Sequence, residues 1–204
     1  MIKKILKIFL FSTLTVFLLL VIVVAHMVFS YRSWQRDFEK KISPQELVES
    51  IDMEEKERLE EKIADVMSSI GDTSVLELST IEVSSLMLNS FQGNEFLNIE
   101  GVYIDPMERG RWDVYFKTDF LEKVSAWVKI KIRKEDRETA EIFVEDVLIG
   151  TYSFKSLGLN KLVEEINQAL SSALITVGEN GFVGRTLENI ELLDSEIVIR
   201  LEKY

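Results

Sequence analysis

Apolar residues are distributed along this chain in three ways, and each predicts a different kind of element. Residues 8–30, IFLFSTLTVFLLLVIVVAHMVFS, form an apolar run without Asp, Glu, Lys or Arg. At ~1.5 Å rise per residue, such a helix crosses a ~30 Å hydrocarbon layer. Further on, some segments carry apolar residues at helical spacing. In others every second residue is apolar, the mark of a half-buried strand.

Residues 31–70 follow the helical pattern and are strongly charged. Ser43-Pro44-Gln45-Glu46 combines an N-cap, a proline at the first helical position and a capping-box glutamate. Asp52 opens a second such start, with Glu55 three residues on. Leu59, Ile63, Val66, Met67 and Ile70 then recur at helical spacing before Gly71. A stalk, or a helix laid on the domain, is expected here. The charged run Glu54-Glu55-Lys56-Glu57-Arg58 is its solvated face.

A folded domain is predicted from residue 74. Val75-Leu76-Glu77-Leu78 is a strand. Ser79 caps a helix with Glu82 in the box position, carrying Ile81, Leu86 and Leu88 and ending about Asn89-Ser90-Phe91. Gln92-Gly93-Asn94 breaks the chain. Residues 96–104 form a strand that turns at Asp105-Pro106. Trp112, Val114 and Phe116 then alternate with Asp113, Tyr115 and Lys117. Residues 124–133 give the clearest alternation, with Val124, Ala126, Val128, Ile130 and Ile132 on one face and Ser125, Trp127, Lys129, Lys131 and Arg133 on the other. Lys134-Glu135-Asp136-Arg137 makes a hairpin tip, and the next strand carries Ala140, Ile142 and Val144, then Val147 and Ile149. After Ser156, Leu159, Leu162, Val163, Ile166, Leu170 and Leu174 form a helical stripe. Ile190-Glu191-Leu192, a turn at Asp194-Ser195 and Ile197–Leu201 make a closing hairpin. The predicted fold class is α+β: an N-terminal transmembrane helix, a helical stalk, then a curved antiparallel sheet packed on two helices. The boundaries are a basic tail at 1–7, an anchor at 8–30, a stalk or linker at 31–73 and the domain at 74–204.

Charge decides how the apolar run is understood. Lys3, Lys4 and Lys7 precede it, as in a cleavable signal peptide, but the apolar core of such a peptide is only about 7–15 residues. The longer run predicts an uncleaved single-pass anchor, with cleavage at Val28-Phe29-Ser30 as the alternative. Three Lys before the span face Arg32, Arg36, Lys40 and Lys41 after it, so the Lys/Arg count does not set the orientation. The amino group adds charge to the first side, and long domains translocate largely regardless of charge. A cytoplasmic N-terminus and an extracytoplasmic C-terminal domain in the cell membrane are therefore expected.

All 35 acidic residues and 21 of the 24 basic ones lie beyond residue 30, leaving that part at −14. Nucleic acid, which needs a positive face, is excluded as a partner. The chain has no cysteine, hence no disulfide and no thiolate chemistry. Its one histidine, His26, lies in the span, best understood as a neutral residue near the interface. The outer domain then has no Ser-His-Asp, Cys-His or His-metal site. Gly178, Gly181 and Gly184 lack the Lys-Ser/Thr of a phosphate loop, and no EF-hand spacing occurs. Adjacent pairs such as Glu164-Glu165 and Glu54-Glu55 do not converge on one point. No catalysis, cofactor or metal is expected.

Three stretches carry a resemblance: LELSTIEVSSLMLNSF, with Asn89 near the helix end; VEDVLIGTYSFKSLGLNKLVEEINQAL, a strand passing through Ile149-Gly150 into an amphipathic helix; and GFVGRTLENIELLDSEIVIRL. With the N-terminal anchor they resemble the YpmS-like family of single-pass bacterial membrane proteins. More distantly they are similar to the tubular lipid-binding (TULIP) superfamily. The chain departs from that pattern at Tyr152-Ser153-Phe154-Lys155, where such proteins often carry a proline, and in its longer 31–70 stretch. The resemblance implies a highly curved sheet around helices, with an apolar groove that takes acyl chains and needs no catalytic residue. On this basis the expected function is binding of a lipid or lipid-linked intermediate. Leu86, Val128, Ile130, Leu162, Ile166 and Leu170 are the inward residues expected to line the groove. The alternative is a structural or adaptor protein with a protein partner in the cell envelope.

Overall fold

The computed structural model describes every residue except 1, 70, 92–97, 109, 121–123, 135–139, 181–183 and 204, and omits the side chains of 2–14, 120, 124 and 173–180 as well. The chain divides into two compact units, Met1–Lys41 and Ile42–Tyr204.

The first unit is a single helix, α1 (Ile2–Glu39), of 38 residues. It is long and apolar enough to span a membrane, and its side chains from Val16 to Val24 stand exposed. It runs unbroken through Val28-Phe29-Ser30 into a short aromatic ladder. Tyr31 and Trp34 lie 5.8 Å apart, and Trp34 stacks on Phe38 at 4.9 Å. Aromatic residues of this kind are enriched where a span meets the headgroups.

The second unit is α+β and contains two antiparallel sheets rather than one. A three-stranded sheet has the order β1 (Thr73–Ser79), β8 (Glu196–Lys203), β7 (Arg185–Leu192). A five-stranded sheet runs β2 (Asn98–Pro106), β3 (Arg111–Phe120), β4 (Val124–Arg133), β5 (Phe143–Ile149), β6 (Tyr152–Ser153). Three further helices, α2 (Met53–Ser68), α3 (Thr80–Phe91) and α4 (Asn160–Asn180), complete it. Pro106 is the last residue of β2, so the chain turns beyond it, where Arg111 N–H donates to Glu108 O at 2.8 Å. Gly110 adopts φ +85°, a conformation that side chains disfavour, and its N–H reaches Leu192 O at 2.9 Å. Next to it the Trp112 indole N–H donates to Leu193 O at 2.7 Å, tying the large sheet to the β7–β8 turn.

Alternation places each strand's apolar face. Leu76 and Leu78 of β1 are buried, while Val75 before them and Glu77 between them are exposed. In the large sheet Val102, Ile104, Trp112, Val114 and Phe116 share one buried face. They form the main core with Leu76, Leu78, Leu88, Ile190 and Leu192. The opposite face is not simply wet: Asp113, Tyr115 and Trp127 are buried there too, Trp127 at 1% exposure. Aromatic bodies covered by neighbouring long side chains account for this better than strand periodicity does.

Two predicted elements are realised differently. The expected helix at Ser43–Glu46 is a turn, with Glu46 N–H donating to Ser43 O at 3.0 Å. Val48, just beyond, pairs with Val102 through two backbone bonds of 2.9 and 3.0 Å and extends the large sheet at its β2 edge. Ile42, Val48 and Leu59 are buried, so the stretch from residue 42 is laid on the domain and does not stand off it as a stalk. The tertiary pairing of Val48 overrides a local capping motif whose worth is only about 1 kcal/mol. Likewise α4 starts at Asn160, not after Ser156, because 154–158 forms a closed turn. The predicted break at Gln92-Gly93-Asn94 and all but Lys134 of the predicted hairpin tip lie outside the described residues.

Candidate functional site

At β5 the large sheet changes phase. Ile130 pairs with Val147 and Ile132 with Val144, so two residues of β5 oppose one step of β4. This bulge lets Val144 and Val147 point to the same side despite their odd spacing. There they meet Val163 of α4, which is 1% exposed, to form a second, smaller core cluster. The exposed backbone of the bulge is satisfied by a side chain. Asn167 of α4 accepts from Val144 N–H through Oδ1 and donates from Nδ2 to Val144 O at 2.8 Å, standing in for a strand partner.

α4 packs on β5 and also on β7, so it bridges the two sheets. Val128, Ile130, Ile132, Phe154, Ile166 and Leu170 pack around the smaller cluster and are only half-buried; Ile130, Ile132 and Leu170 touch the main core as well. This aliphatic seam is the candidate site. Of the residues expected to line a groove, the structure brings Val128, Ile130, Ile166 and Leu170 together here. Leu86 of α3 is half-buried against the main core, apart from this group. Leu162 is not inward: it is 40% exposed, because Val163 is the residue that α4 turns to the sheet and Leu162 falls on the flank. Leu174 lies among the side chains not described.

Ile132, Phe154 and Asn167 belong to the seam but were not among the expected lining residues. Ile132 shares the alternation of Val128 and Ile130 and was legible from it. Phe154 lies in an irregular segment, and Asn167 is a polar residue beside an apolar stripe; neither pattern identifies them.

The unit also carries two polar sites. An open groove of about 580 Å³ is lined by Arg58, Glu61, Lys62, Asp65, Ser79 and Glu82. Within it Lys62 Nζ sits 3.1 and 3.0 Å from the two Glu82 oxygens. On the outer face of the large sheet Lys129 bonds Asp113 at 2.9 Å and lies 5.4 Å from the centre of the Tyr115 ring. Burial pushes the Tyr103 phenol up to about 12, helped by Asp105 and Glu46. Burial, then Asp113 and Asp105, raises Tyr115 as well. Both phenols are therefore protonated near neutral pH. Among the described residues no group of three or more His, Cys, Asp or Glu is placed to hold a metal ion.

Comparison with known proteins finds no matching family model, no matching curated protein and no matching solved structure.

Proposed function

We propose that this protein is a single-pass membrane protein whose Ile42–Tyr204 unit lies outside the cytoplasmic membrane and binds a lipid or lipid-linked intermediate without catalysis. The observation that carries this reading is the half-buried aliphatic seam under α4, in a chain that begins with a membrane-length helix. Val128, Ile130, Ile166 and Leu170 would contact the acyl chain, α4 lifting from β5 to admit it. The continuity of α1 through Ser30 into its aromatic ladder favours an anchor over a cleaved leader.

Native mass spectrometry of the 42–204 unit, with lipid extraction of the same sample, tests the proposal. A bound lipid mass supports it. An apoprotein that takes up neither a fatty acid nor a phospholipid probe overturns it. Ile166→Phe fills the seam with extra volume. Occupancy should fall several-fold while the melting temperature changes little; the reverse pattern would make Ile166 ordinary core.

The competing reading, an adaptor in an envelope complex, draws on the charged groove beside α2. In-cell crosslinking that captures one stoichiometric partner, lost when Arg58 and Lys62 are both changed to Glu in a protein that still folds, would favour it.

A further inference from the structure

The segment that joins β5 to α4 is a tightly built turn. The Asp146 carboxylate accepts from Val147 N–H at 2.9 Å, from the Ser153 hydroxyl and from Lys155 N–H at 3.3 Å. Ser153 Oγ accepts in turn from Ser156 N–H at 3.1 Å. Phe154 N–H donates to Val147 O at 2.8 Å, and Phe154 O receives Leu157 N–H at 3.2 Å and Leu159 N–H at 2.9 Å. Gly158 closes the turn at φ +78°. The Phe154 side chain packs inward on the smaller core cluster.

So ordered a turn could have hidden its leucines, yet Leu157 is 54%, Leu159 43% and Leu162 40% exposed. Lys155 and Lys161 are exposed beside them. Lys161 has only a loose contact, 3.9 Å, with Glu165, the next acidic residue after Glu164. The surrounding sequence is exceptional in charge. From Val147 to Val163 there is no Asp or Glu, the longest such stretch outside the apolar run of α1, in a chain with 35 acidic residues.

We infer that Leu157, Leu159 and Leu162, rimmed by Lys155 and Lys161, form a membrane-docking tip that seats in the headgroup region of an anionic bilayer. Leucines placed at that depth leave water for the acyl boundary, while lysines extend their stems and meet phosphates. Basic residues near anionic lipid are attracted and acidic ones repelled. The stretch 147–163 carries no acid, and Asp146 at its start is half-buried and bonded within the turn, so this tip can approach a surface that the rest of the unit cannot. The bilayer is close at hand if α1 spans it, since the compact unit begins at Ile42, soon after α1 ends at Glu39. The inference rests on that reading of α1 and not on a lipid bound in the seam.

The absence of cysteine makes single-site labelling clean. Leu157→Cys and, as reference, Glu77→Cys would be introduced into the full chain and labelled with an environment-sensitive fluorophore. The protein would then be reconstituted in vesicles of phosphatidylcholine and phosphatidylglycerol. The expected result is a blue-shifted label at 157, quenched by lipids with nitroxide on the acyl chain and several-fold less accessible to aqueous iodide than the label at 77. Adding Lys155→Glu, or omitting phosphatidylglycerol, should reverse this. Equal iodide access at 157 and 77, in protein that floats with the vesicles, would overturn the docking tip and leave the anchor standing. Shielding from iodide without nitroxide quenching would indicate a second protein copy and equally overturn it. So would nitroxide quenching that is unchanged both by Lys155→Glu and by pure phosphatidylcholine. Failure to float would remove the anchor itself, and the inference with it.

Discussion

Two carboxylates on this molecule titrate in opposite senses, and their surroundings explain why. Burial pushes Glu82 up, but the Ser79 N–H at 2.8 Å and the Lys62 ammonium outweigh it, so its carboxyl is held below the ordinary value of 4.5. A carboxyl lowered by folding stabilises the native state above its unfolded pKa and loses that contribution as pH falls through the folded one. Glu82→Gln should therefore lower stability by about 1 kcal/mol at pH 7. Its deficit should shrink as the wild type is acidified below 4.5, which thermal melts across pH would register. Asp105 is the converse. Burial raises it first, and Asp113, its directly paired neighbour across β2 and β3, raises it further. Its ionisation opposes folding, so the native state is favoured below 3.8 and loses that advantage as pH rises through the folded pKa. Asp105→Asn should gain ~0.5 kcal/mol at pH 7 by removing one of two facing like charges. The gain should vanish in acid, and a denaturant midpoint that does not rise at pH 7 would refute it.

At the scale of elements, α4 is positioned by one polar side chain as much as by its apolar stripe. Asn167 answers both backbone groups of Val144 at the bulge. Asn167→Ala should destabilise by about 2 kcal/mol, since a donor and an acceptor lose their partner together. Hydrogen exchange at Val144 should accelerate in the variant more than exchange in β3. The capping motifs show how far sequence alone carries at this scale. Ser79 and Glu82 read as a capping box and form one, with Glu82 N–H bonded to Ser79 Oγ at 3.2 Å and the reciprocal bond from Ser79 N–H. Ser43 and Glu46 have the same spacing and form a turn, because Val48 is worth more as a partner of Val102 than as a helical residue. Val128, Ile130, Ile166 and Leu170 were legible as a group because strand alternation and helical stripe each point to one face. Leu162 was not, since a stripe wider than the contact does not say which edge stays wet. Nor did the bulge opposite Lys131 and Ile132 announce the partnership with Asn167.

For the whole molecule, the division at Lys41/Ile42 makes a sharp prediction. The buried residues of the core begin at Ile42, and none lies among the described side chains of α1. Removing residues 1–41 should leave the melting temperature of the remainder unchanged. Removing residues 1–72 strips Ile42, Val48 and Leu59 from the core, at about 2–5 kcal/mol for each large side chain lost. That total is comparable with the whole stability of a domain, so calorimetry of the shorter chain should show no cooperative transition. The α+β class and the succession of most strands along the chain were legible before the structure, because alternation and turns are local. The split into two sheets was not, because it depends on β1 choosing β8, a partner more than a hundred residues away.

That pairing also governs timing. β1 lies at the start of the domain and β8 at its end, with Thr73 opposite Glu202 and Ser79 opposite Glu196. The central strand of the smaller sheet is thus the last of its three strands to be synthesised. Until it arrives, Leu76 and Leu78 on one side and Ile190 and Leu192 on the other have no sheet to complete, and closing so long a loop is slow. On the proposed topology this order serves a domain that crosses the membrane before it folds, for the smaller sheet cannot lock until the final hairpin is present.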